Sequence, residues 1–162
     1  ICFKTSPTFS PVLAETLGLK NIQVLNPNGQ DADGQPWGLL RTGNIQEQPL
    51  ADFLNTVKAA LHCEGMRYVD GGRPVTKVAA GGGSCGGAVR EVYDAGCDTF
   101  VTADVKYNQF WDAKELGINL IDAGHFHTEN PVVAVLADKL QKAFPEIQVV
   151  TSKTHADCVK FF

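Results

Sequence analysis

The sequence predicts an α/β fold, a layered structure with a largely parallel central sheet and flanking helices. After residue 72, short apolar segments typical of buried strands alternate with segments of helical period. Short connections, and glycines that follow two predicted helix ends (Gly96 and Gly117), support this order of elements. We therefore expect residues 1–162 to form a single α/β domain.

The first part of the chain contains two predicted helices. Leu13 and Leu17 are four positions apart, which predicts a helix over residues 9–17. Turn-forming residues fill the loop over residues 26–36. Apolar residues recur at helical spacing over residues 50–61 and predict an amphipathic helix there. Extended segments are expected at residues 22–25, 37–45 and 66–69.

The second part of the chain predicts regular alternation of strands and helices. Strands are expected at residues 75–80, 99–102, 118–123 and 147–151. Helices are expected at residues 88–94, 107–116 and 131–144. Pro131 supports the start of the last helix, because proline suits the first helical turn. Together these elements give the order β-α-β-α-β-α-β.

Composition excludes several classes of protein. The chain is 44% hydrophobic with a net charge of −4, and it has no cluster of Lys or Arg, so we expect neither nucleic-acid nor membrane partners. Its apolar stretches are too short to cross a bilayer. The odd number of cysteines, without a C-x-x-C pair, favours reduced thiols in a cytoplasmic protein. These are Cys2, Cys63, Cys85, Cys97 and Cys158.

Three loops follow predicted parallel strands, and the carboxyl ends of such strands form the ligand-binding edge of α/β sheets. The first loop, residues 81–87, is rich in glycine. It is interpreted either as a tight strand-to-helix turn or as an anion cradle in which Gly82, Gly83 and Ser84 contact a substrate. Cys85 is interpreted as a small buried thiol rather than a nucleophile.

The second loop, residues 103–107, contains Asp104 and Lys106. Their carboxylate and ammonium groups are candidates for orienting a substrate at the edge of the sheet. The alternative is that Asp104 caps the following helix and that Lys106 is simply solvated.

The third loop, residues 124–129, contains the candidate metal ligands His125 and Glu129. Their i, i+4 spacing brings the two side chains together if a helix begins near Thr128. Imidazole and carboxylate together suit zinc, iron or manganese. We expect His127 to point elsewhere in this turn.

All three loops take part in a family resemblance, which is most specific in the third. The runs Leu-Ile-Asp-Ala-Gly-His-Phe-His-Thr-Glu (residues 120–129) and Thr-Ala-Asp-Val-Lys-Tyr (residues 102–107) resemble the Nif-three-like (NGG-interacting factor) family of dinuclear metal proteins. Members of this family are also called GTP cyclohydrolase I type 2 homologues. Similar segments occur at residues 13–19, 41–44 and 81–84, so the resemblance covers nearly the whole chain.

The resemblance implies an α/β fold assembled as a homo-oligomer, a toroidal hexamer, with two divalent metal ions in each subunit. It implies that His125 and Glu129 are metal ligands and that the substrate is a nucleotide or another phosphate-bearing small molecule. The chain departs from the family in having no His-His pair and no ligand in residues 3–9. It also has Ala103 and Asn108 where a Gly and a His are common. The chain therefore resembles the C-terminal half of a longer member.

The residues leave three functional hypotheses open. The first is a divalent-metal-dependent hydrolase that acts on a nucleotide-like substrate, in the manner of a GTP cyclohydrolase. The second is a non-catalytic assembly or regulatory protein that retains the fold. The third is a fragment or degenerate copy that lacks part of the metal site. The sequence assigns no catalytic residue.

Overall fold

The computed structural model describes residues 9–162, which contain eight strands and six α-helices. The strands are β1 (Lys20–Leu25), β2 (Gly29–Gln30), β3 (Pro36–Trp37), β4 (Leu40–Gln48), β5 (Arg67–Val69), β6 (Val75–Ala80), β7 (Thr99–Thr102) and β8 (Asn119–Asp122). The helices are α1 (Phe9–Thr16), α2 (Leu50–Leu61), α3 (Val89–Asp94), α4 (Tyr107–Leu116), α5 (His125–Glu129) and α6 (Pro131–Ala143).

Six strands form one mixed sheet in the order β1-β4-β6-β7-β8-β5, and β2 and β3 form a separate hairpin. The three central strands β6, β7 and β8 are parallel, and the pairings outside them are antiparallel. The connections through α3 and α4 explain the parallel core, because parallel neighbours require a crossover between them. The predicted α/β fold with a parallel core is confirmed.

The register of the central strands aligns their carboxyl ends. Ala80 of β6 pairs with Val101 of β7, and Thr102 of β7 pairs with Asp122 of β8. The chain therefore leaves all three strands at the same edge of the sheet. This places the three loops singled out in the sequence side by side.

Helices cover both faces of the sheet because side chains alternate along the buried strands. In β7 and β8, Val101 and Ile121 join one core cluster, which also contains Phe53 of α2. Phe100 and Leu120 join the other cluster, which includes residues of α3 and α4. The sheet is thus the middle of three layers, as the sequence predicts.

The structure corrects the prediction of a last strand at residues 147–151. This segment follows α6 without strand structure, and within residues 9–162 no strand pairs with it. Apolar residues there matched the strand pattern, but a strand needs a hydrogen-bonded neighbour, and Ile147 and Val150 are instead exposed. Elsewhere the segment predicted as extended over residues 37–45 divides into β3 and β4.

Four cysteines within the described residues carry free thiols, and Cys2 lies outside them. Burial raises the pKa of Cys63 and of Cys97 to about 11, so both side chains are neutral thiols near pH 7. Among the described helices, none has both the length and the apolar character needed to cross a bilayer.

We predict that Phe100→Ala lowers the free energy of unfolding by about 3–5 kcal/mol, because it leaves a cavity beneath the sheet. The Phe100 side chain is 0% exposed. Phe144→Ala is the matched control, since that ring is 49% exposed. Urea denaturation measures both, and similar losses in the two variants would contradict the layered core described above.

Candidate functional site

The glycine-rich loop after β6 is hydrogen-bonded to both neighbouring loops. The Gly83 N–H donates to Thr128 Oγ1 at 3.0 Å, and the Thr102 hydroxyl donates to the Gly83 carbonyl at 3.0 Å. Gly83 has a φ of +67°, which glycine adopts without strain. The loop thus closes against α5 and the end of β7.

His125 and Glu129 converge at this edge of the sheet. The Nε2 atom of His125 lies 3.3 Å from Oε2 of Glu129, across one turn of α5. The helix begins at His125 rather than near Thr128 as predicted, because Gly124 with a φ of +85° turns the chain directly out of β8. The predicted proximity of the two side chains is nevertheless confirmed.

The carboxylate of Asp104 orients the imidazole of His125. Asp104 Oδ2 lies 2.6 Å from His125 Nδ1. Asp104 has a φ of +50°, a left-handed conformation that is uncommon outside glycine and that aspartate tolerates better than most residues. The cap position of α4 belongs to Lys106, so the interpretation of Asp104 as the helix cap is wrong. The sequence missed its contact with His125, which joins residues 21 positions apart.

Gly83 keeps the space beside the His125–Glu129 pair open. A Cβ atom at position 83 would lie 2.7 Å from Glu129 Oε1 and 3.1 Å from His125 Nε2. Any side chain at this position would therefore occupy the space that the imidazole nitrogen and the carboxylate share. At the neighbouring Gly82, a Cβ atom would lie 3.3 Å from the carbonyl oxygen of Thr128.

Hydrogen bonding to Asp104 raises the pKa of His125, and the negative charge of Glu129 raises it further, although partial burial of the ring opposes both effects. His125 therefore stays protonated to a higher pH than an isolated histidine does. When it is neutral, Nδ1–H donates to Asp104 and the Nε2 lone pair faces Glu129.

The donor set at this edge is small. Within residues 9–162, no group of three or more His, Cys, Asp and Glu side chains is arranged to hold a metal ion. His125 and Glu129 supply two potential metal donors. The Asp104 carboxylate does not add a third, because it contacts Nδ1 on the opposite side of the imidazole ring. Cys85 is not an obvious addition, because burial, followed by the charge of Glu129, raises its pKa and favours the neutral thiol.

The other residues predicted to bind substrate lie in the loop after β6 and at the start of α4. Of the three loop residues predicted to contact a substrate, Gly83 donates its N–H to Thr128, whereas the N–H groups of Gly82 and Ser84 have no hydrogen-bond partner within residues 9–162. Ser84 is exposed and borders a cleft of about 510 Å³ on the far side of the loop. Lys106 is exposed at the start of α4, and no hydrogen bond or ion pair within residues 9–162 involves its ammonium group.

His127 points away from the pair, as predicted. Its Nδ1 lies 3.1 Å from the Leu61 carbonyl and its Nε2 lies 3.2 Å from Asp157 Oδ2. The neighbouring Phe126 ring packs against His155. These contacts join α5 to the end of α2 and to the C-terminal segment.

Asp122 is the residue of this region whose role the sequence analysis missed. Its side chain is 6% exposed and accepts hydrogen bonds from the backbone of both neighbouring loops, at Val105 and Gly124. The signal was a carboxylate at the end of a strand predicted to be buried, because a buried carboxylate needs partners.

We predict that Asp104→Asn lowers the pKa of His125 towards its ordinary value, because the charged hydrogen-bond acceptor is lost. In the wild type, the raised pKa means that the Asp104–His125 attraction stabilises the fold fully below the unfolded pKa of about 6.5, and that this contribution is lost as pH rises through the folded pKa. Imidazole NMR titration of metal-free protein measures the change. Asp112→Asn, on the exposed face of α4, is the control, and an unchanged His125 pKa in Asp104→Asn would refute the contact.

Comparison with known proteins relates this chain to a family. The model of Duf34/NIF3 (NGG1p interacting factor 3) matches residues 5–158. A GTP cyclohydrolase 1 type 2 homolog of Pseudomonas aeruginosa is 35% identical over 134 residues, covering 82% of this chain and 50% of that protein. A homolog of the same name from Nostoc sp. is 34% identical over 131 residues, covering 80% of this chain and 49% of that protein.

Solved structures share the fold. The crystal structure of a Staphylococcus aureus hypothetical protein matches with a TM-score of 0.84 and 25% identity, covering 95% of this chain and 64% of that one. A Bacillus cereus protein related to NIF3 matches with a TM-score of 0.81 and 21% identity, covering 95% and 69%. This chain spans about half the length of the curated relatives it matches. It belongs to the Duf34/NIF3 (NGG1p interacting factor 3) family.

Proposed function

We propose that this protein binds a divalent metal ion through His125 Nε2 and the Glu129 carboxylate. The observation that carries the proposal is that these two groups converge to 3.3 Å while Asp104 holds the opposite imidazole nitrogen at 2.6 Å. A carboxylate behind a histidine is the usual arrangement at metal sites, because it fixes the tautomer and makes the ligand more basic.

The charges of the site favour a cation. Asp104 and Glu129 place two carboxylates on either side of one imidazole, so the group is negatively charged whether or not His125 is protonated. A divalent ion at Nε2 would balance these charges and take the place of the proton. The space that Gly83 leaves open borders both proposed ligands. The donor set of imidazole and carboxylate suits zinc, iron or manganese.

The site needs further ligands to bind metal tightly. Catalytic zinc sites generally have three protein ligands, and residues 9–162 bring two together here. We propose that the remaining ligands come from outside the described residues, either from a longer chain or from a neighbouring subunit. Metal binding by this chain alone should be weak.

We propose a hydrolase acting on a nucleotide-like, phosphate-bearing substrate as the activity of the complete site. This rests on the relatives named GTP cyclohydrolase 1 type 2 homolog and on the placement of the loops. Bound divalent metal would supply an activated water and a Lewis acid. The amides of Gly82 and Ser84, with the ammonium of Lys106, are the groups available to an anionic substrate on this edge.

The second candidate function is a non-catalytic oligomeric or regulatory protein that retains the fold. The observation favouring it is the number of donors, since His125 and Glu129 alone leave most of the coordination sphere to solvent. Both candidates retain metal binding at His125, and they differ in whether a substrate is turned over.

We predict that His125→Ala abolishes divalent metal binding and that His127→Ala has a smaller effect. His125 supplies the proposed nitrogen ligand, whereas both ring nitrogens of His127 face other groups of the protein. Calorimetric titration with Zn²⁺ or Mn²⁺ measures the difference. Binding should also weaken as pH falls through the raised pKa of His125, because the imidazolium has no lone pair for the metal.

His127→Ala is the matched control, since it removes a histidine from the same short helix. Equal metal binding by the wild type and His125→Ala would refute the proposed ligand. Loss of metal binding in His127→Ala but not in His125→Ala would place the metal site beside His127 instead.

We also predict self-association, with a hexamer as the proposed assembly. Tyr107 and Trp111 lie on one face of α4 with 77% and 55% exposure, and large exposed aromatic side chains favour burial against a partner. Sedimentation velocity at micromolar concentration should show species larger than a monomer. A single monomeric species across that range would contradict the prediction.

A further inference from the structure

We propose that Asp122 is a positioning residue for the metal site, holding the loops of Asp104 and His125 at a fixed separation. The inference rests on the proposed function, because the site it positions is the proposed His125–Glu129 metal site. Asp122 itself touches neither Glu129 nor the imidazole, and it acts through the backbone.

The two oxygens of Asp122 bind different loops. Oδ1 accepts the Gly124 N–H at 3.2 Å, and Oδ2 accepts the Val105 N–H at 3.1 Å. Gly124 immediately precedes His125, and Val105 immediately follows Asp104. One carboxylate thus fixes the backbone beside each of the two residues whose side chains meet at 2.6 Å.

Arg67 completes this arrangement. It pairs with Asp122 in the β5–β8 register, and its Nη2 donates both to Asp122 Oδ2 and to the Val105 carbonyl, the latter at 3.1 Å. Its guanidinium also lies 5.4 Å from the centre of the Phe110 ring. A buried carboxylate is costly without such partners, and the Arg67 guanidinium supplies both a hydrogen bond and the balancing charge.

The backbone of Asp104 depends on this support. A residue other than glycine at a φ of +50° is held there only when its surroundings determine the conformation. The neighbouring Val105 N–H is bound by Asp122, which keeps the Asp104 carboxylate directed at His125. Asp122→Asn replaces one carboxylate oxygen with an NH₂ group, which is itself a hydrogen-bond donor. Because Val105 and Gly124 both present N–H donors to this side chain, one of the two hydrogen bonds is lost.

The experiment compares Asp122→Asn with Asp98→Asn. Asp98 is a matched control: it is also buried, at 8% exposure, and it accepts the backbone N–H groups of Thr76 and Lys77. It lies just before β7, at the opposite end of the parallel strands from the site. Both variants remove a buried carboxylate that accepts two backbone N–H groups, so they separate an effect on the site from a loss of stability.

We expect Asp122→Asn to weaken Zn²⁺ binding about tenfold, because it displaces Asp104, and loss of the partner behind a metal ligand typically costs about 10–100-fold in affinity. Asp98→Asn should leave the affinity within about twofold of the wild type. Wild-type affinity in a folded Asp122→Asn variant, or an equal loss in Asp98→Asn, would overturn the inference.

A second measurement needs no metal. Amide hydrogen exchange should show Val105 and Gly124 protected in the wild type and unprotected in Asp122→Asn, with the His125 Nδ1–H resonance shifted. Unprotected Val105 and Gly124 in the wild type would overturn the inference even if the variant fails to fold. A wild type that binds no metal but shows this exchange pattern would refute the proposed function while supporting the role of Asp122 in positioning His125.

Discussion

The parallel pairing of β6, β7 and β8 is the constraint on which the rest of the site depends. Because these strands run in one direction and end in register, the chain emerges three times at one edge of the sheet. Glycine, aspartate and histidine residues that are far apart in the sequence therefore meet there. The helices on both faces bury the strands, and this burial fixes the register, since a shift of one residue would exchange the two cores.

The arrangement of charges distinguishes this edge of the sheet from an ordinary strand-to-helix turn. Two carboxylates, Asp104 and Glu129, face one imidazole, and a third, Asp122, is buried and paired with Arg67. The site thus combines a negative group open to solvent with a neutralised pair that supports it. This division of charge suits the proposed metal site, because a cation there would balance the negative group that is open to solvent.

The sequence predicted the fold and the loops of the site better than it predicted their contacts. The strands β6 and β7 were predicted at their observed bounds, because buried central strands carry continuous apolar runs. The prediction of a last strand at residues 147–151 was wrong, because an apolar run does not show whether a neighbouring strand is available to pair with it. The i, i+4 spacing of His125 and Glu129 predicted their proximity. The contact of Asp104 with His125 and the role of Asp122 join distant loops through a left-handed residue and backbone groups, which no local pattern encodes.

We propose that a divalent ion binds between His125 Nε2 and the Glu129 carboxylate. The most direct test is anomalous diffraction from crystals of this protein soaked in Zn²⁺. We expect an anomalous peak at bonding distance from both groups, about 2.0–2.2 Å, with Asp104 still on the opposite nitrogen. A peak beside His127 and Asp157 instead, or no peak at His125 in soaked crystals, would contradict it.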